Sequence, residues 1–87
     1  MMHVTVISPE AAVFDGEADA VMAPAGDGDI GILPNHAPLM TTLGSGTLTV
    51  RAGGLDHRFR VQGGFLQVVK NSVRILAEHV QGDTDAE

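Results

Sequence analysis

Short runs of alternating apolar and polar residues, separated by turn-forming residues, recur along most of this chain. Up to residue 77 they return at intervals of about eight to twelve residues, bounded by Gly, Pro, Asn or Asp. A helix would require apolar residues at a period of about 3.6, and that periodicity is absent there. The alternation therefore predicts an all-β chain in which every second side chain of a strand faces a common core.

The segments between turn signals predict nine or ten strands and no helix. Hairpin turns are expected at Gly53-Gly54 and at Lys70-Asn71-Ser72, and a further turn is expected at Asp15-Gly16. A single open sheet of such short strands would leave too much apolar surface in water, so we predict a ten-stranded β-sandwich or flattened barrel. The core positions expected from the apolar phase of each strand are Val4, Val6, Val21, Ile32, Leu48, Val50, Phe59, Leu66, Val68 and Ile75.

Composition excludes several classes of function. A chain of 87 residues provides one domain with one modest core. It contains no cysteine, which rules out a disulfide framework, a zinc-thiolate site and a thiol nucleophile. The net charge of -6 disfavours binding to a nucleic-acid backbone. No apolar run reaches the roughly 20 residues that cross a bilayer.

Candidate metal and catalytic residues are scattered along the sequence. The four histidines occur singly, without metal-ligand spacing, so no metal and no cofactor is expected. The glycines of GDGDIG are followed by no helix that would complete a phosphate loop. Asp27 and Asp29 could form an acid–base pair, although two exposed turn carboxylates need no such role. These histidines and the serines considered as nucleophiles are His3, His36, His57, His79, Ser8, Ser45 and Ser72.

Four arginines, together with the acidic end of the chain, allow two interpretations. The arginines could form one basic stripe, but a polar outer sheet face is the favoured interpretation. The acidic terminal residues GDTDAE are interpreted as a solvated tail. The arginines are Arg51, Arg58, Arg60 and Arg74.

The segment LPNHAPL is the strongest candidate for a functional surface. Pro34 and Pro38 restrict the preceding residues to extended backbone, so the corner between them presents Asn35 and His36 with little conformational freedom. Such rigidity lowers the entropic cost of docking to another molecule. The plainer alternative is that His36 caps its own turn.

At this segment the chain resembles the N-terminal domain of the ε subunit of F-type rotary ATP synthases, which is called δ in mitochondria. The family pattern Gly-x-x-Gly-acidic-x-Gly-aliphatic-x-Pro-x-His-Ala-Pro-Leu is similar to GDGDIGILPNHAPL in this sequence. VISPEAAVFDGEADAV and VQGGFLQVVKNSVRILAEHV resemble the opening and closing strands of the family in the same order. The resemblance extends from residue 3 to about residue 80, so residues 1–80 are expected to form the domain and residues 81–87 an acidic, disordered tail.

The resemblance implies a ten-stranded β-sandwich without an active site, at the foot of the rotor. It implies contacts with the γ subunit and the membrane c-ring that help couple ion flow to ATP synthesis. A bacterial chain of this family would be peripheral to the inner membrane, on its cytoplasmic face. The chain is expected to lack the C-terminal helical hairpin that is usual in the family. By position, the c-ring contacts would be Asp29, Pro34 and Asn35, and the γ contacts Ser8, His36 and Thr41.

Two other hypotheses about function follow from the residues alone. The runner-up is a small-ligand-binding or interaction module built on an unrelated β-sandwich, and an enzyme is third. The isolated chain is also expected to self-associate if its γ-binding face is apolar.

Overall fold

All regular elements in the described part of the chain, residues 2–26 and 28–83 of the computed structural model, are β-strands. This confirms the all-β prediction. Within that part, no helix is long and apolar enough to span a membrane. The strands are β1 (Met2–Ile7), β2 (Ala12–Ala18), β3 (Ala20–Ala25), β4 (Gly28–Ile32), β5 (Leu39–Thr42), β6 (Ser45–Ala52), β7 (Leu55–Val69) and β8 (Ser72–Asp83).

Two of these strands are long enough to serve both layers of the sandwich. The hydrogen-bonded order is β2-β1-β8-β7-β6-β3-β4, and β5 pairs with β7. The first half of β7 pairs with β6, whereas its second half pairs with β5. The first layer therefore contains β4, β3, β6, the first half of β7 and the end of β8. The second contains β5, the second half of β7, the start of β8, β1 and β2.

The sequence predicts nine or ten strands, whereas the described residues form eight, because β7 and β8 each run through both layers and contribute one segment to each. The sheet is not closed into a barrel, since its end strands β2 and β4 do not pair within the described residues. Strands β1 and β8 pair in parallel, and the remaining strand pairs are antiparallel.

Strand β7 passes from one layer to the other at Gly63-Gly64, where φ is +73° and +115°. Its buried side chains occupy odd positions before this point and even positions after it, as Phe59 and Leu66 illustrate. A Cβ at Gly64 would collide with the Leu76 carbonyl oxygen and lie 2.9 Å from Cα of Ala77. Only glycine therefore permits the close approach of β7 and β8 at the crossing.

Side chains from both layers meet in one core. Phe14 of β2 lies 5.3 Å from the ring of His57 and 6.5 Å from that of Phe59, both on β7. Phe14 reaches these rings across the sandwich, because β2 and β7 are separated by two strands in the sheet order. All ten core residues predicted from the sequence are buried, which confirms the phase assigned to β1, β3, β4, β6, β7 and β8.

The two predicted hairpin turns are confirmed. Gly53 and Gly54 have positive φ between the paired Ala52 and Leu55, and Lys70 and Asn71 have positive φ between the paired Val69 and Ser72. Positive φ at both central residues is the geometry of the type I′ turn, one of the two usual turns of two-residue hairpins.

The predicted turn at Asp15-Gly16 is wrong. Strand β2 continues through both residues, with Asp15 opposite Thr5 and Gly16 opposite Val4. The chain turns after Ala18 instead, where the Asp19 N–H donates to the Arg51 carbonyl. A local Asp-Gly signal is overridden here because β1 supplies a continuous pairing partner.

The strand pairing at the C-terminal end also extends further than the sequence suggested. Strand β8 continues past residue 80 because its last residues pair with β7 as far as Asp83 opposite Arg58. The rest of the expected tail, residues 84–87, lies outside the described residues.

Candidate docking surfaces

One side of the sandwich is formed by the edge strands of the two layers. We call β4, the corner from Leu33 to Pro38 and β5 the β4–β5 edge. Five of the six predicted contact residues lie on it, and Ser8 does not. Asp29 is exposed near the start of β4, whereas Pro34 and Asn35 follow the end of that strand. The structure therefore separates the three residues assigned to the c-ring along the length of β4.

The corner is held by hydrogen bonds to the β7–β8 turn. Asn35 has φ of +68°. Its backbone N–H donates to Oδ1 of Asn71 at 2.6 Å, and Nδ2 of Asn71 donates to Oδ1 of Asn35 at 3.2 Å. This reciprocal pair fixes the backbone that the two prolines already restrict. The expected rigidity of the corner thus has a second source, which the sequence did not reveal.

His36 does contribute to its own turn, as the plainer interpretation suggested. Its backbone N–H donates to the Leu33 carbonyl at 3.2 Å, and its Nδ1 lies 2.7 Å from the Ala37 carbonyl oxygen. A carbonyl oxygen only accepts hydrogen bonds, so this contact places a proton on Nδ1. In the neutral ring, Nε2 is then an acceptor, and the half-buried imidazole can present it to a partner.

The remaining γ-assigned residues have local roles. Oγ of Ser8 donates to the Ala11 carbonyl at 3.1 Å and accepts from the N–H groups of Glu10 and Ala11, each at 3.3 Å. Ser8 therefore closes the turn between β1 and β2. Thr41 is half-buried, in the same inward phase as Leu39, and its hydroxyl lies 3.4 Å from the Thr42 carbonyl oxygen.

The second layer carries an apolar surface whose residues were not identified from the sequence. Phe65 is 39% exposed and Met40 is 64% exposed. Ile7, Leu76 and Phe65 lie side by side on β1, β8 and β7, because Ile7 pairs with Leu76 and Leu76 pairs with Phe65. A shallow groove of about 410 Å³ beside Ser8 and Pro9 is lined by these three residues. We call Ile7, Met40, Phe65 and Leu76 the apolar face.

The outward position of Phe65 could have been found from the alternation of its strand. Leu66 and Val68 occupy the buried phase, so Phe65 shares the outward phase with Gln67. A large apolar side chain in the outward phase of a half-buried strand indicates a surface that another molecule covers.

The outer face of the first layer is polar, as the favoured interpretation of the arginines predicts. Nε of Arg51 donates to Asp56 at 2.9 Å, and a guanidinium nitrogen of Arg58 lies 3.6 Å from the same carboxylate. The hydrogen bond from Arg51 lowers the pKa of Asp56. Arg74 lies on the second layer, so the four arginines do not form one stripe.

Asp29 adjoins this polar face. It lines a groove of about 510 Å³ together with Met22 and Arg51. The Met22 side chain lies over Gly31, whose Cβ would be 3.3 Å from the Met22 sulfur. Among the described residues, no group of three or more His, Asp or Glu side chains could hold a metal ion.

Comparison with known proteins identifies the family of the chain. Residues 1–82 match the family described as ATP synthase, Delta/Epsilon chain, beta-sandwich domain. The chain belongs to this family. The resemblance inferred from GDGDIGILPNHAPL and the flanking strands is thereby confirmed.

Curated bacterial relatives of this delta/epsilon domain are named ATP synthase epsilon chain and differ in length. The one from Caulobacter vibrioides is 47% identical over 78 residues, which are 90% of this chain and 91% of the relative. The one from Leptospira borgpetersenii is 46% identical over 88 residues, 99% of this chain but 69% of the relative. Relatives therefore include chains of about this length and longer ones.

Solved structures show the same fold at lower identity. A chain of the Euglena gracilis mitochondrial ATP synthase OSCP/F1/c-ring structure matches with a TM-score of 0.87 at 22% identity. A chain of the Tetrahymena thermophila central stalk and c-ring structure matches with a TM-score of 0.80 at 18% identity. The matches cover 98% and 93% of this chain, but only 56% and 66% of those chains.

Proposed function

We propose that this chain is a non-catalytic central-stalk subunit of an F-type ATP synthase, which docks on the γ subunit and the c-ring and helps couple ion flow to ATP synthesis. The observation that carries this proposal is the family match over residues 1–82, nearly the whole chain. The domain works as a rigid connector, and its polar residues position surfaces rather than react with a substrate.

The γ subunit docks on the apolar face, with Ser8 at its margin. Burial of Phe65 and Met40 supplies the hydrophobic driving force, about 25 cal/mol per Å² of apolar area removed from water. Ser8 holds the β1–β2 turn that forms the wall of the groove. His36 and Thr41 extend the contact along the β4–β5 edge. In the absence of γ, we expect the same apolar face to drive self-association of the isolated chain.

The c-ring loops contact Asp29, Pro34 and Asn35. The carboxylate of Asp29 is exposed at the edge of the first layer and is available to a polar loop. Asn35 is already ordered by Asn71, so little conformational entropy is lost when a partner binds. These contacts hold the subunit at the cytoplasmic face of a bacterial inner membrane.

Capture by purified partners tests this assignment. The full chain is immobilised and offered the γ subunit and the detergent-solubilised c-ring, separately and together. We expect retention of γ, and of the c-ring when γ is present. If neither protein is retained and a small metabolite raises the melting temperature of the chain, the rotor-subunit proposal is wrong. The chain is then a ligand-binding module.

We expect Asp29→Lys to weaken assembly with the c-ring without unfolding the domain. An exposed rim charge is worth about 0 to 1 kcal/mol and mainly changes association rate and salt dependence. The melting temperature should stay within about 2 °C of the unsubstituted chain. ATP synthesis by membranes that carry the variant should fall, and more so at low ionic strength.

Asp27→Lys is the matched control, because the resemblance assigns that position no partner; Asp27 lies outside the described residues. If the two substitutions had equal effects, Asp29 would not be a c-ring contact. Unfolding by Asp29→Lys would lead to the same conclusion.

A further inference from the structure

His3 lies on the outer face of the second layer, between two carboxylates of the neighbouring edge strand. Its Nδ1 lies 3.0 Å from Oε2 of Glu17, and its Nε2 lies 2.5 Å from Oδ1 of Asp15. Both carboxylates belong to β2, which pairs with β1 on one side only. The imidazole therefore joins β1 to the edge strand through both ring nitrogens.

The chemistry of these contacts determines the charge of the ring. An ionised carboxylate only accepts hydrogen bonds, and a neutral imidazole carries a single N–H donor. Two bonds from one ring to two carboxylates therefore require the imidazolium. We propose that His3 is a pH-sensitive latch that holds edge strand β2 against β1 as a cation and loosens it on losing a proton.

The groups around the latch define its electrostatics. On β2, the facing groups are the acids Asp15 and Glu17. On β8, Ser72 lies opposite His3, and Arg74 lies opposite Thr5, one outward position further along. Of these charged groups, the two acids are the ones in hydrogen-bond contact with the ring.

The pKa of His3 is raised by the hydrogen bond to Glu17 and then by that to Asp15. A raised pKa means that the folded state binds the proton more tightly than the unfolded chain. The stabilisation is complete below the unfolded value of about 6.5 and is lost as pH rises through the higher folded value. Since the side chains are about half exposed, salt weakens the latch.

Release of β2 would have a defined structural consequence. Strand β2 covers the edge of β1, whose Val4 and Val6 are fully buried, and it carries Phe14 into the core beside Phe59. Opening of β2 exposes that edge to pairing with another chain. The latch lies on the opposite edge of the second layer from β5, and Asp29 lies on the other layer. The His3 backbone N–H donates to the carbonyl of Asn71, whose side chain holds Asn35, so this backbone contact links the latch to the corner.

Amide hydrogen exchange of the full chain tests the latch. From about pH 6 to pH 9, the opening equilibrium of β2 amides, corrected for intrinsic exchange, is expected to rise about two- to five-fold, and less at high salt. Amides of β3 and β4 should show no such rise. In His3→Gln, the opening equilibrium of the β2 amides should equal the high-pH value of the unsubstituted chain at every pH. In His3→Lys, it should stay at the low-pH value at every pH.

His79→Gln is the control, because His79 is an exposed histidine on the first layer. It should leave the pH dependence of β2 unchanged. An NMR titration should place the pKa of His3 above 6.5. The latch is refuted by a pH-independent β2, by a pH dependence that persists in His3→Gln, or by titration of His3 at or below the ordinary value.

Discussion

Gly64 shows how a single residue determines the architecture. Its φ of +115° is rarely adopted by residues with a side chain, and backbone atoms of β8 occupy the space of its missing Cβ. Because β8 cannot move without breaking the pairing of both layers, this contact cannot relax as it would beside a flexible side chain. At its neighbour Gly63, the three atoms nearest to an added Cβ all belong to the side chain of Glu78.

We expect Gly64→Ala to lower the free energy of unfolding by about 2 to 6 kcal/mol, the sum of backbone strain and overpacking. Gly53→Ala separates the two causes, since Gly53 also has positive φ but its Cβ would meet nothing within 4 Å. That variant should lose about 1 to 3 kcal/mol, the cost of the backbone strain alone. Urea denaturation measures both, and equal losses would show that the collision with β8 does not matter.

At the scale of elements, the long strands β7 and β8 unite the two layers. The first half of β7 faces the core from one layer, and the second half faces it from the other. At the crossing, the buried side chains change from odd to even positions. The predicted core positions after the crossing, Leu66 and Val68, are buried, while Val69 is 41% exposed. The second half of β7 is therefore a strand with one face in the core and one in the proposed interface.

Truncation on the two faces of this half-strand should have unequal effects. Leu66→Ala should cost about 2 to 5 kcal/mol because it leaves a cavity in the core. Val69→Ala, on the outward face, should stay within about 0.5 kcal/mol of the unsubstituted chain. Chemical denaturation measures both values, and a larger loss for Val69→Ala would mean that the phase is reversed.

At the scale of the whole molecule, the side chains altered in the tests of the c-ring contact and of the latch lie on different layers of one sandwich. Asp29 lies on β4 of the first layer, and His3 joins β1 to β2 at the far edge of the second layer. Substitutions of Asp29 and of His3 should therefore have nearly additive effects. This separation allows the tests of the c-ring contact and of the latch to fail independently.

We also expect the chain to fold without metal or nucleotide, because its core is built from apolar side chains of both layers. Calorimetry in EDTA and in millimolar Mg-ATP should give the same melting temperature. A ligand present at about 100 times its dissociation constant would stabilise the fold by about 2.7 kcal/mol. A rise of several degrees with either addition would therefore reveal a site.

Much of the fold and of the candidate surfaces follows from local patterns. The alternation of apolar and polar residues predicts which side chains of a strand are buried. All ten predicted core residues, Val4 and Ile75 among them, are therefore buried. Hairpin turns at Gly53-Gly54 and Lys70-Asn71 are also local, since they depend on positive φ at adjacent residues. The family was recognisable because the corner between Pro34 and Pro38 combines several restrictive residues in a short segment.

Tertiary structure decided what depends on residues far apart in the chain. Asp15-Gly16 is a turn signal by itself, yet β1 pairs with it and keeps it extended. Asn35 meets Asn71, and His3 meets Asp15 and Glu17, only because strand register brings them together. The sequence by itself determined which face of each strand is apolar, because side chains alternate with a period of two. Only the folded chain decided which strands pair and where β7 changes layers, since non-local hydrogen bonds and packing select among many locally equivalent arrangements.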